Sequence, residues 1–178
     1  MKTIKDYIRT IPDFPEPGIM FRDITTVLQD PDGLKLAIDS MQDLVRDIDF
    51  DVIAGAEARG FVFGTPIAYN LHKPMMLVRK KGKLPYKTVS VDYTLEYGDV
   101  TTLEIHEDAI LPGQKVLLVD DLLATGGTLQ AMAKLVEKVG GEVAGILVLL
   151  ELSGLNGREL LKDYPVFSAV SYEGKKKT

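Results

Sequence analysis

Short, almost unbroken apolar runs alternate with stretches of helical periodicity along most of this chain. Val52-Ile53-Ala54-Gly55, Met75-Met76-Leu77-Val78, Val116-Leu117-Leu118-Val119 and Val143 to Leu150 read as strands buried on both faces. Leu34, Ala37, Ile38, Met41, Leu44, Val45 and Ile48 instead form one long stripe, behind Asp30-Pro31, an N-cap followed by proline at the first helical position. Leu129, Met132, Ala133, Val136 and Val139 predict a further helix, capped by Thr128 and stopped by Gly140-Gly141. Residues 61–71 read as a helix in spite of Pro66. Ile4, Tyr7, Ile8 and Ile11 predict an amphipathic N-terminal helix, which the proline-rich segment 12–18 cannot continue. Only one segment alternates with period two. Val89, Val91, Tyr93 and Leu95 are interleaved with Ser90, Asp92, Thr94 and Glu96, so a hairpin arm should turn at Tyr97-Gly98-Asp99 and return over Val100 to Ile105. That alternation puts Glu96 on the polar face.

Apolar strands joined through helices imply an α/β fold with a central, mostly parallel sheet covered by helices on both faces. Ligands of such sheets sit beyond the carboxyl ends of the strands. The rule singles out two segments expected as loops, Glu57-Ala58-Arg59-Gly60 and Asp120 to Thr128.

Composition narrows the chemistry. The 178 residues, 46% hydrophobic and 26% charged, suit one globular domain without repeats or linkers. A net charge of −5 speaks against non-specific nucleic-acid binding, so an anionic ligand must be held by locally arranged donors. The absence of cysteine removes disulfides, thiolate metal sites and a thiol nucleophile. His72 and His106 cannot make a multi-histidine metal site, and both are read as structural. The N-terminus lacks an apolar signal core, and no run approaches the roughly 20 residues that span a bilayer, so a soluble cytoplasmic protein is expected. The Lys175–Lys177 tail reads as a solvated end.

The densest chemistry lies in Val116-Leu-Leu-Val-Asp-Asp-Leu-Leu-Ala-Thr-Gly-Gly-Thr128. A buried strand delivers two adjacent carboxylates to its carboxyl end, and a small-residue loop then opens a helix. Gly126 and Gly127 permit unusual dihedrals and close backbone approach, Thr125 and Thr128 add hydroxyls, and the helix start supplies aligned amides. These features suit a phosphate monoester without a lysine. Asp120 and Asp121 could accept hydrogen bonds from vicinal ribose hydroxyls and stabilise a cationic sugar ring. The same spacing also fits a surface turn with capping residues. Neither a Walker-type nor a dinucleotide-type glycine motif is present.

The run 116–128 resembles the phosphoribosyl-diphosphate signature of the type I phosphoribosyltransferases. The wider pattern resembles the adenine-specific members of that family. It comprises Phe14-Pro-Glu-Pro-Gly-Ile-Met-Phe-Arg-Asp-Ile24, Glu57-Ala-Arg-Gly-Phe61, Val78-Arg-Lys-Lys-Gly-Lys-Leu-Pro85 and Tyr93-Thr-Leu-Glu-Tyr-Gly98, in the family's order. The match covers about residues 3–172. It implies the type I phosphoribosyltransferase fold in a single domain over 1–178, with a small base-binding hood over about 1–30 and a hairpin lid over about 80–105.

By this resemblance, Ala124, Thr125, Gly126, Gly127 and Thr128 hold the 5′-phosphate, and Asp120 and Asp121 the ribose hydroxyls. Arg59 meets the diphosphate from a loop with a cis peptide at Glu57–Ala58, while Arg79, Lys80 and Lys83 neutralise it as the lid closes. Glu96, beside Tyr97 on the lid, is the implied catalytic group. Met20, Phe21, Arg22 and Leu122 form the implied adenine pocket. The implied reaction is purine salvage: adenine and phosphoribosyl diphosphate give AMP and diphosphate in a cytoplasmic homodimer. Mg²⁺ is expected to be held mainly by substrate oxygens and water, and neither nucleic acid nor membrane is an expected partner. Some members carry Asp-Ser where Glu57-Ala58 stands, so no hydroxyl is assigned there, and Tyr86 lies in a variable part of the lid. A 6-oxopurine or xanthine phosphoribosyltransferase, or a non-catalytic sensor of phosphoribosyl diphosphate, are the alternative readings.

Overall fold

The computed structural model describes residues 1–94 and 99–174. The chain opens with α1 (Ile4–Tyr7) and an antiparallel pair, β1 (Arg9–Pro12) and β2 (Met20–Asp23). The helix expected through Ile11 is therefore a single turn. Ile8 is already extended, and Ile11 pairs with Phe21 in the ladder. So short a helix is marginal alone, and strand pairing satisfies the backbone before Pro12. After α2 (Thr25–Leu28), helix α3 (Pro31–Leu44) begins as expected. The Asp30 carboxylate accepts from the amides of Asp32 and Gly33 at 2.8 and 3.1 Å.

The central elements follow as β3 (Val52–Ala56), α4 (Arg59–Leu71), β4 (Met75–Lys80), β5 (Thr88–Thr94), β6 (Val100–His106), β7 (Lys115–Leu123), α5 (Gly127–Lys138) and β8 (Glu142–Leu152). A single turn (Ser153–Leu155), α6 (Gly157–Leu160) and β9 (Val166–Tyr172) complete the described chain. The seven-stranded sheet has the order β5-β6-β4-β3-β7-β8-β9. The five strands from β4 to β9 run parallel, and the β5–β6 hairpin joins antiparallel at the β4 edge.

Strand alternation explains why the runs are apolar throughout. Val52, Ala54, Val116, Leu118, Ile146 and Val148 face α5, meeting Leu129, Met132 and Val136. Ile53, Leu117, Val119, Leu147 and Leu149 face the other way, onto Met41 of α3 and Phe63 and Ile67 of α4. Each such side chain removed from water contributes roughly 1.5–3 kcal/mol, so both faces anchor the sheet. The apolar side of β5 (Val89, Val91 and Tyr93) packs toward α5, as the period-two pattern requires. Leu95 to Gly98, with Tyr97 and Gly98 of the expected turn, lie outside the described residues, as do residues 175–178.

Among the boundaries that differ from the sequence reading, three bear on the site. β7 runs on through Leu123, because β8 extends beside it and pairs Val148 with Asp120 and Leu150 with Leu122. Asp120 and Asp121 are thus strand residues. Arg59 and Gly60 likewise begin α4, not a loop. Thr128 is not the cap of α5: Gly126 holds that position, and the Thr128 hydroxyl pairs with the Tyr93 hydroxyl at 3.2 Å.

Candidate active site

From β3 the chain steps outward to β4 and the hairpin, then returns to place β7 on the opposite side of β3. The crevice at the carboxyl ends of β3 and β7 is therefore the switch point at which such sheets bind ligands. A cleft of about 370 Å³ opens there. Its walls are Glu57–Arg59, Lys80, Asp120 through Leu129, and Tyr93, Thr101 and Leu103 from the hairpin.

The glycine turn is shaped by steric limits. Gly126 has φ +93°, and a Cβ on it would lie 2.8 Å from the Gly157 carbonyl oxygen. Only glycine fits there without strain. Gly127 does not share this constraint within the protein. It is the first helical residue, and a Cβ there would meet only the Tyr93 ring at 3.7 Å. Gly127, Thr128 and Leu129 of the first turn of α5 line the cleft, and the amides of a helix start are a natural seat for an anion.

Opposite the turn stand the carboxylates. Asp121 is buried and accepts from Nε of the half-exposed Arg59, and Asp120 accepts from the Asp121 amide at 2.8 Å. Burial pushes the Asp120 carboxyl well above the ordinary carboxylate range, and the adjacent Asp121 charge adds to that rise. Arg59 can reach Asp121 because α4 lies close to the strand ends. A Cβ on Gly60 would be 2.9 Å from the Val119 carbonyl oxygen. The Glu57–Ala58 peptide is cis, as expected. The Glu57 carboxylate accepts from the Lys80 amide and lies 3.5 Å from the Arg79 guanidinium.

A second, smaller cavity shares Arg59, Asp121 and Leu122 with the cleft and extends to Phe21, Arg22, Asp23, Ile24, Thr25 and Leu150. Phe21 is partly exposed, with one edge against Phe14 at 5.1 Å between ring centroids. The Arg22 guanidinium lies 4.1 Å from the Tyr172 ring centroid and donates to the Thr10 hydroxyl at 2.6 Å. Asp23 braces this wall. Bonds from Thr25, then from Arg9, hold its carboxyl down to about 2.

Of the residues singled out from the sequence, Arg59, Lys80, Asp120, Asp121, Ala124, Thr125, Gly126, Gly127 and Thr128 converge on the cleft. Phe21, Arg22 and Leu122 converge on the adjoining cavity. Met20, Arg79 and Lys83 line neither: Arg79 is turned to Glu57, Lys83 sits in the exposed turn after β4, and Met20 ends the β1–β2 ladder opposite Pro12. Glu96 lies outside the described residues. Sequence reasoning missed Tyr93, Thr101, Leu103, Asp23, Thr25 and Leu150 as wall residues. For Tyr93 a signal existed, since the alternation puts it on the face that packs toward α5.

Comparisons with known proteins agree with this geometry. Residues 23–175 match the phosphoribosyl transferase domain family. The chain is 68% identical over 175 residues to the adenine phosphoribosyltransferase of Agathobacter rectalis, covering 98% of this chain and 100% of the relative. The crystal structure of adenine phosphoribosyltransferase from Thermoanaerobacter pseudethanolicus superposes with a TM-score of 0.91 at 51% identity, over 95% of this chain and 98% of that one. The Saccharomyces cerevisiae adenine phosphoribosyltransferase, complexed with adenine and an imino-altritol bisphosphate, gives a TM-score of 0.87 at 34% identity, over 94% and 96% of the two chains.

Proposed function

The chain belongs to the adenine phosphoribosyltransferases of the phosphoribosyl transferase domain family, and we propose on that premise that it joins adenine to phosphoribosyl diphosphate. The observation that carries the reading is the shared wall. A glycine turn suited to phosphate and a cavity bounded by Phe21 and Arg22 meet at Arg59, Asp121 and Leu122. A phosphorylated sugar on one side and a flat base on the other would bring their reacting atoms together there.

In this mechanism the bond from adenine N9 to the anomeric carbon forms, the bond from that carbon to diphosphate breaks, and the N9 proton is lost. The products are AMP and diphosphate. Glycosyl transfer of this kind passes through a cationic, oxocarbenium-like ring. Asp120 and Asp121 hold the ribose hydroxyls and place negative charge beside the developing cation. Ala124 to Thr128 anchor the 5′-phosphate in ground and transition states alike, so they set affinity more than rate. Arg59 and Lys80 face the diphosphate, with Arg79 and Lys83 reaching it from the lid segment. Met20, Phe21, Arg22 and Leu122 receive adenine, and Glu96, by the family resemblance, accepts the N9 proton. The hairpin walls Tyr93, Thr101 and Leu103 support its role as a lid that keeps water from the reacting carbon.

Mg²⁺ belongs to the same proposal. Among the described residues no three histidine or carboxylate side chains converge on one point. The cleft does offer the hard oxygens of Asp120 and Asp121, and Mg²⁺ readily completes its shell with substrate oxygens and water. When bound, it would neutralise charge on the departing diphosphate. We further propose a cytoplasmic homodimer acting in purine salvage, with a hood over about residues 1–30 and a lid over about 80–105, readings that rest on the family resemblance. Among the described residues no helix is long and apolar enough to cross a membrane.

Incubation with adenine, phosphoribosyl diphosphate and Mg²⁺ tests the function. AMP and diphosphate should appear in equal amounts. Binding of phosphoribosyl diphosphate with no product would leave a sensor in place of an enzyme.

A further inference from the structure

Behind the phosphate turn lies an ion pair that the cleft does not include. Glu151, near the end of β8, is only 6% exposed. It accepts from Arg158 Nε at 2.8 Å, from Arg158 Nη2 at 2.9 Å and from the Ser168 hydroxyl at 2.9 Å. Arg158 Nη1 also donates to the Val166 carbonyl at 3.1 Å, so one guanidinium ties α6 to both β8 and β9. Two parallel charge-assisted bonds fix orientation as well as distance.

What the tie holds in place is the backbone of Gly157. A Cβ on Gly126 would lie 2.8 Å from the Gly157 carbonyl oxygen, and a Cβ on Gly157 would lie 2.5 Å from the Ala124 carbonyl oxygen. The start of α6 is thus the back wall of the 124–126 turn, in backbone-to-backbone contact that leaves no room for a side chain.

We infer that Arg158 and Glu151 are positioning residues for the 5′-phosphate of phosphoribosyl diphosphate, acting through α6 to fix the backbone of the 124–126 turn. The inference rests on the reading of 124–128 as the phosphate site. Neither side chain touches substrate. A bland alternative is that the pair only fastens α6 and β9 to the fold, in which case its loss lowers stability without favouring one kinetic constant. Phosphate anchoring is common to ground and transition states, so its loss raises KM with kcat nearly unchanged.

Three variants separate the cases. Arg158→Met removes the tie, Arg158→Lys keeps the charge without the paired geometry, and Gly157→Ala pushes on the turn while leaving the ion pair intact. Arg158→Met and Gly157→Ala should each raise KM for phosphoribosyl diphosphate by at least ~10-fold, with kcat and KM for adenine within about threefold of wild type. Arg158→Lys should fall between Arg158→Met and wild type. A folded Arg158→Met with wild-type KM for phosphoribosyl diphosphate would overturn the inference, and so would parallel losses in kcat and both Michaelis constants. If Arg158→Met does not fold, Arg158→Lys decides by the same criteria, because it too breaks the paired geometry with Glu151. Calorimetry with ribose 5-phosphate tells the two levels apart. Wild type that fails to bind it removes the phosphate-site reading and this inference with it. Equal binding by wild type and all three variants removes the inference alone.

Discussion

Gly126→Ala places a methyl group where the fold has no space for one. The residue sits at φ +93°, which costs an L-amino acid roughly 1–2 kcal/mol. Its new Cβ would stand 2.8 Å from the Gly157 carbonyl oxygen, about 0.6 Å inside ordinary contact. Because Arg158 holds α6 to Glu151, the lighter 124–126 turn is the part that gives way. Overpacking of this kind adds roughly 1–3 kcal/mol, for a total of about 2–5 kcal/mol. In a chain of this size each kcal/mol is worth about 2–4 °C, so the thermal midpoint should fall by roughly 4–20 °C. The displaced amides should lose at least one charge-assisted bond to phosphate, worth roughly 1.5–3 kcal/mol, which raises KM for phosphoribosyl diphosphate by about 10-fold or more. Gly127→Ala is the matched control. Its Cβ meets only the Tyr93 ring at 3.7 Å, and alanine in a helix gains up to ~1 kcal/mol over glycine. Its midpoint should hold or rise. Scanning calorimetry and initial rates at saturating adenine read both effects. A lowered midpoint with unchanged KM in Gly126→Ala would put the phosphate elsewhere, and an unchanged midpoint would refute the steric account.

Three further outcomes follow, two from the cleft and one from the family resemblance. The raised pKa of Asp120 means that the native state keeps a proton which the unfolded chain loses above its ordinary 3.8. Stability should therefore fall as pH rises from that value through the folded pKa, and Asp120→Asn should flatten the fall in urea midpoints; an unaltered slope would contradict the assignment. Arg59→Met should raise KM for phosphoribosyl diphosphate by about 10- to 100-fold, the worth of one charge-assisted contact, and a wild-type KM would detach Arg59 from the substrate. Glu96→Gln should lower kcat by at least ~10²-fold, as expected for a positioned base, with KM for phosphoribosyl diphosphate little changed. Near-wild-type turnover in both Glu96→Gln and Glu96→Ala would leave the lid a steric role only.

The parallel sheet was legible because burial on both faces demands apolar residues at every strand position, as in β3 and β7. So was the place of the cleft, since both singled-out segments follow the carboxyl ends of buried strands, where such sheets bind ligands. Exact element ends were less legible. Nothing local in Asp120-Asp121 says that β8 runs long enough to keep pairing beside them, and Thr128 has the composition of a cap whose hydroxyl is in fact taken by Tyr93, thirty-five positions away. The unequal roles of Gly126 and Gly127 depend on where the Gly157 backbone lies, a tertiary fact that no spacing encodes. For the same reason the Glu151–Arg158 pair was invisible: the two stand seven residues apart across a turn, and only the packing of α6 against β8 brings them together.

The most direct test of the account is the selectivity among purines. Initial rates with adenine, hypoxanthine, guanine and xanthine, each at saturating phosphoribosyl diphosphate and Mg²⁺, give four values of kcat/KM. A site built around hydrogen bonds to one base rejects a mismatched one by ~10⁴, because buried polar groups are then left unpaired. The account predicts that adenine exceeds each of the other three by about that factor, with AMP as product. Comparable kcat/KM for guanine, hypoxanthine or xanthine would contradict it.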